Sequence, residues 1–284
     1  MTIGVIFGLL SALCTGLSLV LVKKSYQEFP PSIAFSFQAL FGVLIWIPFA
    51  LYTGVSFTSL FWLVIPLALL SAILSEAFYY FIFSKADVGL TTTVFSVYPI
   101  FTVAVSLLLL GERPPEGILW FVGVIVLGII VLSWPDKNIE KISNKHKAVI
   151  WGLIGAFAVG FSDALSKGII DQTSAATFLF ALAIMQVPVA LAFLKHQKEP
   201  FSQFVNIKKY GYSMAGAFLG VIAVLLLWLA FEATYASVAS PLTASFPLFT
   251  LVLAYFWLKE KLTLRDGLSV LITIVGIIGI STFV

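Results

Sequence analysis

Charge is scarce in this chain. Only 10% of its 284 residues are Asp, Glu, Lys or Arg, whereas an ordinary soluble domain carries about 25%. So few charges cannot cover the surface of a water-soluble protein of this length, and the chain is predicted to lie in a lipid bilayer. The net charge of +3 is too small to suggest a nucleic-acid partner. A single cysteine, Cys14, excludes an intramolecular disulfide; inside the first apolar run it reads as a structural thiol. Leu13 is too bulky for a lipoprotein cleavage site before Cys14, and the missing basic region at the start disfavours a cleaved signal peptide. Only two histidines occur, His146 and His196, both in polar connections. With no histidine in any apolar run, and no HExxH, GxSxG or Walker pattern, the sequence offers no metal site, no cofactor, no ATP coupling and no basis for an enzyme.

Apolar residues are abundant, at 61% of the chain. A helix needs about 20 of them to cross a hydrocarbon core of about 30 Å. Ten runs approach that length, near 3–22, 31–52, 60–84, 88–110, 116–134, 148–168, 174–194, 210–231, 236–258 and 264–283. They are apolar all round, which excludes the alternation of spanning strands. The expected fold is all-α and integral to the membrane, with helices 1–5 in residues 1–134, a polar linker at 135–147, and helices 6–10 in residues 148–284.

The two halves repeat each other. Gly8, Gly16, Ser18 and Lys23 recur 144 residues on as Gly152, Gly160, Ser162 and Lys167. Pro99, Phe101, Thr102 and Glu112 recur 148 residues on as Pro247, Phe249, Thr250 and Glu260. Because five is odd, the second copy enters the membrane from the opposite face, so ten helices make an inverted repeat, a pattern common in transporters. Fourteen of the sixteen Lys and Arg residues fall in the odd-numbered loops, which the positive-inside rule assigns to the cytoplasm. Small residues spaced by four, Gly4, Gly8, Ala12 and Gly16 and again Gly152, Ala156, Gly160, Ala164 and Gly168, form grooves for close helix packing. Packing within one chain is favoured over a homodimer face. Pro99 and Pro247 are expected to kink helices four and nine.

These paired segments resemble the EamA-type branch of the drug/metabolite transporter superfamily. The opening helix ends in a lysine after a small-residue stripe, and the later element runs from a proline through an apolar stretch to Glu, as in SVYPIFTVAVSLLLLGE and ASFPLFTLVLAYFWLKE. The resemblance covers nearly the whole chain. It implies a secondary transporter of a small metabolite (an amino acid, amine or related compound), working by alternating access from a cavity between the repeats. It also implies export and a prokaryotic inner membrane. A channel or a signalling membrane protein is the alternative.

Charges deep in a bilayer are costly and need a partner or a cavity. Glu76, Asp163 and Glu232 are such acids, and their repeat counterparts are Val224, Leu19 and Ser84. Acids absent from the other copy are not needed by the scaffold, so Glu76 and Asp163 are candidates for substrate binding and proton coupling. Glu112 and Glu260, present in both copies, read as structural. Lys167 lies four residues from Asp163, so the two either form an ion pair or Lys167, with Lys23, offers positive charge to a substrate. Tyr79 and Tyr80 follow Glu76, and Trp228 matches Tyr80; aromatics beside an acid can hold an amine, although plain core packing accounts for them too. Gln38 and Gln186 are buried amides that either bond between helices or line the cavity.

Overall fold

In a computed structural model, residues 2–25, 29–85, 95, 97–133, 145–199, 207–258 and 263–283 are described. Among them the regular structure is helical: α1 (Thr2–Ser25), α2 (Pro31–Thr53), α3 (Phe61–Ser71), a π-helical segment (Ala72–Ala77), α4 (Phe78–Lys85), α5 (Tyr98–Leu109), α6 (Ile118–Ser133), α7 (Lys145–Ile170) and α8 (Ala175–His196). After the short 3-10 turn Ile207–Tyr210 come α9 (Gly211–Ala233), α10 (Ala236–Thr243), α11 (Phe246–Leu258) and α12 (Leu264–Ser281). Among the described residues, seven helical stretches are long and apolar enough to cross a membrane, and three more are apolar but shorter. The start of the fourth predicted segment and most of the linker lie outside the described residues. The histidines stand at helix ends, His146 at the start of α7 and His196 at the end of α8.

Local chemistry sets the helix boundaries. Pro30 and Pro31 open α2, where a missing N–H costs nothing. Ser174 caps α8 by accepting from Thr177 N, and Thr263 with Asp266 forms a capping box on α12. Pro99 and Pro247 do not kink continuous helices as expected. Pro99 sits in the first turn of α5, and the ninth predicted segment is broken at Ala244–Ser245, with Pro247 in the first turn of α11. The physical reason is that a proline has no N–H to lose at a helix start and pre-sets the helical φ, so the chain restarts there rather than bending. Interior prolines are Pro48, Pro66, Pro188 and Pro241.

The principal packing joins early helices to late ones. α1 lies along α9, α2 along α8, α5 along α7, and α6 along α12. Glycines make these approaches possible. A Cβ on Gly16 would stand 3.0 Å from Phe246 O, and one on Gly160 would stand 2.7 Å from Tyr98 O and 2.8 Å from Thr102 N. The small-residue grooves are thus filled from within the chain. One core cluster joins Trp46 and Ala68 to Phe178, Trp228 and Phe231. The outward faces carry exposed Leu, Ile, Phe and Trp such as Leu44, Trp62, Leu108 and Trp120, which suits a surface facing lipid.

Candidate functional site

A cavity of about 110 Å³ lies inside the bundle, where α1, α2, the π-helical segment, α4, α5, α7, α9, α10 and α11 meet. Roughly 10–15 Å³ measured this way holds one water, and drug-sized pockets run from about 300 Å³. The space therefore suits a cluster of several waters or one small molecule. Glu76 and Asp163 both line it, and both are buried. The Gln38 amide ties the Glu76 corner together: Nε2 donates to Glu76 Oε2, and Tyr80 OH donates to Gln38 Oε1 at 2.5 Å. Asp163 accepts from Ser75 Oγ at 3.1 Å. Glu76 and Ser75 are neighbours within the π-helical segment, a geometry that recurs at functional sites. The rings of Tyr80, Tyr79, Phe95 and Tyr98 follow one another at centroid distances of 5.9, 5.5 and 5.6 Å. Trp228 also lines the cavity, its ring centroid 4.8 Å from that of Phe178 and 5.3 Å from that of Phe231. The described lining residues include two carboxylates and no Lys or Arg.

Six of the residues singled out in the sequence meet in this cavity: Gln38, Glu76, Tyr79, Tyr80, Asp163 and Trp228. Three stand otherwise. Lys167 donates to Asp171 Oδ1 at 2.5 Å and to Phe231 O at 2.7 Å, so its partner acid is Asp171 rather than Asp163, and it is not among the lining residues. Asp171 follows the last residue of α7 and its side chain is half exposed, whereas Lys167 is buried. Gln186 is fully buried beside Gly42, with no hydrogen-bond partner among the described residues, and does not line the cavity. Lys23 is on α1, and its side chain lies outside the described residues.

The acids at helix ends act as caps. Glu112 accepts from Ala236 N at 2.7 Å, Ser237 N at 3.0 Å and Ser237 Oγ at 2.7 Å, bonding the free N–H groups of α10 from the other half of the chain. Glu232, exposed, accepts from Ala175 N at 3.1 Å at the start of α8, so it too is a cap rather than a buried acid. Glu260 lies outside the described residues. A carboxylate at a helix N-terminus satisfies orphan donors and the macrodipole. Glu112→Ala is expected to cost about 1–2 kcal/mol by the same reasoning, read as a lowered unfolding temperature of the purified protein.

The residues missed in the sequence include Ser75, Tyr98 and Thr15, and a signal for them was present. Most of the lining falls in pairs at the repeat spacing. Glu76 pairs with Val224 and Tyr80 with Trp228, both 148 residues apart, and all four line the cavity. The same holds for Ser75 with Ala223, Tyr79 with Leu227, and Tyr98 with Phe246. Thr15 and Val159, 144 apart, are both lining residues as well. Most cavity positions therefore point to a counterpart that also lines it, Gln38 with Gln186 being an exception. Gly220 supplies room: a Cβ there would stand 3.2 Å from Gln38 Oε1 and 3.3 Å from Ser18 Oγ. Gly220→Val is accordingly expected to displace Gln38 and weaken ligand binding several-fold, measured by calorimetric titration.

Comparison with known proteins agrees with this architecture. A curated relative, an uncharacterized protein of Methanocaldococcus jannaschii, is 28% identical over 134 residues, which is 47% of this chain and 96% of that protein. A solved crystal structure of a protein 14% identical to this one superposes with a TM-score of 0.76 over 99% of both chains, a likeness of fold alone. The model of the EamA-like transporter family matches twice, over residues 2–134 and 146–282. The chain belongs to the EamA-like transporter family and is an integral, multi-pass membrane protein.

Proposed function

We propose that this protein is a secondary transporter for a small amine-bearing metabolite. The observation that carries the reading is the meeting of Glu76 and Asp163, from opposite halves of the chain, in one small buried cavity walled by aromatic rings. A desolvated carboxylate attracts an ammonium far more strongly than it would in water, and aromatic faces add cation–π attraction. Gln38, Tyr79, Tyr80 and Trp228 complete the proposed site.

The proposed architecture is ten spans in two inverted five-helix repeats, residues 1–134 and 148–284 joined by the linker 135–147, moving against each other by alternating access. The cross-packing of early and late helices supports this reading, as does a cavity lined by residues from both parts of the chain. Filling of the glycine grooves from within the chain favours a working monomer. Spanning helices suit a prokaryotic inner membrane, and export is the proposed direction. We place proton coupling on Glu76 and Asp163, which share their cavity with the hydroxyls of Tyr79, Tyr80 and Tyr98. Each carboxylate would hold either a proton or the ammonium, so binding one expels the other.

The test is reconstitution into liposomes with an imposed pH gradient. Amine flux should respond to the gradient in the wild type, and Glu76→Gln or Asp163→Asn should remove that response. An unchanged response in both variants would rule the two acids out as proton carriers.

A further inference from the structure

Most of the paired lining differs in polarity between the two halves. At four pairs the first-half member is polar and its second-half counterpart is apolar: Ser75 against Ala223, Glu76 against Val224, Tyr79 against Leu227, and Tyr98 against Phe246. Thr15 against Val159 follows the same rule, whereas Phe95 against Thr243 reverses it and Tyr80 against Trp228 carries a polar atom on both sides. Gln38 and Ser18 add further polar groups from the first half. Asp163 crosses the division, but it is bonded to Ser75 and so belongs to the polar wall. A scaffold built by duplication has no packing reason to differ in the same direction at five of its seven paired lining positions. The difference is where a ligand would meet it.

From this we infer that the cavity takes an amphipathic amine. Its ammonium lies against Glu76 and Asp163, and a short alkyl tail lies against Ala223, Val224, Leu227 and Phe246. This inference rests on the amine reading above. The volume of about 110 Å³ limits the tail to a few carbons. A second carboxylate on the ligand would face the apolar wall with no cation among the described lining residues, and burying it unpaired is costly. An uncharged polar atom in the tail loses water there too, whereas each buried methylene gains. The substrate class is thus a small hydrophobic amine rather than a zwitterion or an amino ether.

Isothermal titration of the purified full chain tests this with three probes of matched size: butylamine, 2-methoxyethylamine and β-alanine. Butylamine and 2-methoxyethylamine differ only by a methylene replaced with oxygen. Butylamine is expected to bind about tenfold more tightly than 2-methoxyethylamine, and β-alanine more weakly than either. In Ala223→Ser and Val224→Thr, which make the second-half wall polar while keeping its shape, the butylamine preference should shrink toward one. Two variants guard against one folding poorly. Equal affinities for butylamine and 2-methoxyethylamine would overturn the tail subsite while leaving the amine reading intact. Tighter binding of 2-methoxyethylamine would do the same, and would point to Trp228 Nε1 or Thr243 Oγ1, which have no partner among the described residues. Tighter binding of β-alanine would also overturn it. No binding of any of the three would bring down the amine reading and the inference together.

Discussion

Glu76→Gln lowers the affinity for butylammonium by at least about 30-fold, because removing one charge from a buried, hydrogen-bonded ion pair costs about 2–5 kcal/mol. The substitution keeps the shape of the side chain and leaves an oxygen that can accept from Gln38 Nε2, so the Gln38–Tyr80 arrangement persists. What disappears is the charge. Titration calorimetry reads the loss directly, and thermal unfolding without ligand checks that the fold is retained. Asp163→Asn is expected to act in the same direction, with the Ser75 contact preserved. A Glu76→Gln protein that bound butylammonium as the wild type does would remove Glu76 from the site. The reason to expect a large effect is burial: Glu76 is 8% exposed and Asp163 2% exposed, so bulk water screens neither charge strongly.

Gly160→Val should unfold the centre of the molecule. The added Cβ would meet Phe101 Cβ at 2.6 Å, Tyr98 O at 2.7 Å and Thr102 N at 2.8 Å. Two of those three atoms are backbone and cannot swing aside. Overpacking costs about 1–3 kcal/mol where side chains can adjust, and a clash with backbone is expected at the upper end or beyond. The affected contact holds α7 against α5, and it carries Asp163 one turn away and Tyr98 on the facing helix, both lining the cavity. The expected outcome is a large fall in unfolding temperature or loss of monodisperse protein. Gly123→Ala is the matched control. Nothing stands within 4 Å of a Cβ there, and alanine is the better helix former by about 1 kcal/mol, so stability should hold or rise slightly.

The membrane class, the helical segments and the two acids were legible in the sequence because each follows from desolvation. Apolar runs of spanning length are stable in lipid and hard to keep dissolved in water, and a lone acid within one needs a cavity or a partner. The cavity as an assembly was less visible. Ser75, Tyr98 and Thr15 gave no signal alone, since serine and threonine in a membrane helix can bond to their own backbone and tyrosine can simply pack. They stand out only when the repeat is used as a ruler and the polarity of the two copies is compared. Lys167 pairs with Asp171 and not with Asp163. The two acids lie four residues away on either side of it, and spacing along a helix cannot choose between them. Rotation of the helix does so, turning Asp163 toward Ser75. The break at Ala244–Ser245 was also hidden. A proline fixes where a helix can begin as readily as where it bends, and the sequence alone does not distinguish the two.

The central claim is that this cavity carries a small ammonium across the membrane. The most direct measurement is the transient current of proteoliposomes on a solid support after a butylammonium concentration jump at about pH 6. An alkylammonium with a pKa near that of lysine, about 10.4, is then almost wholly charged and leaks little through lipid. A current that saturates with concentration, and that Glu76→Gln removes together with Asp163→Asn, is the predicted result. A current that rises linearly without saturation, or one that persists in both variants, would contradict the account.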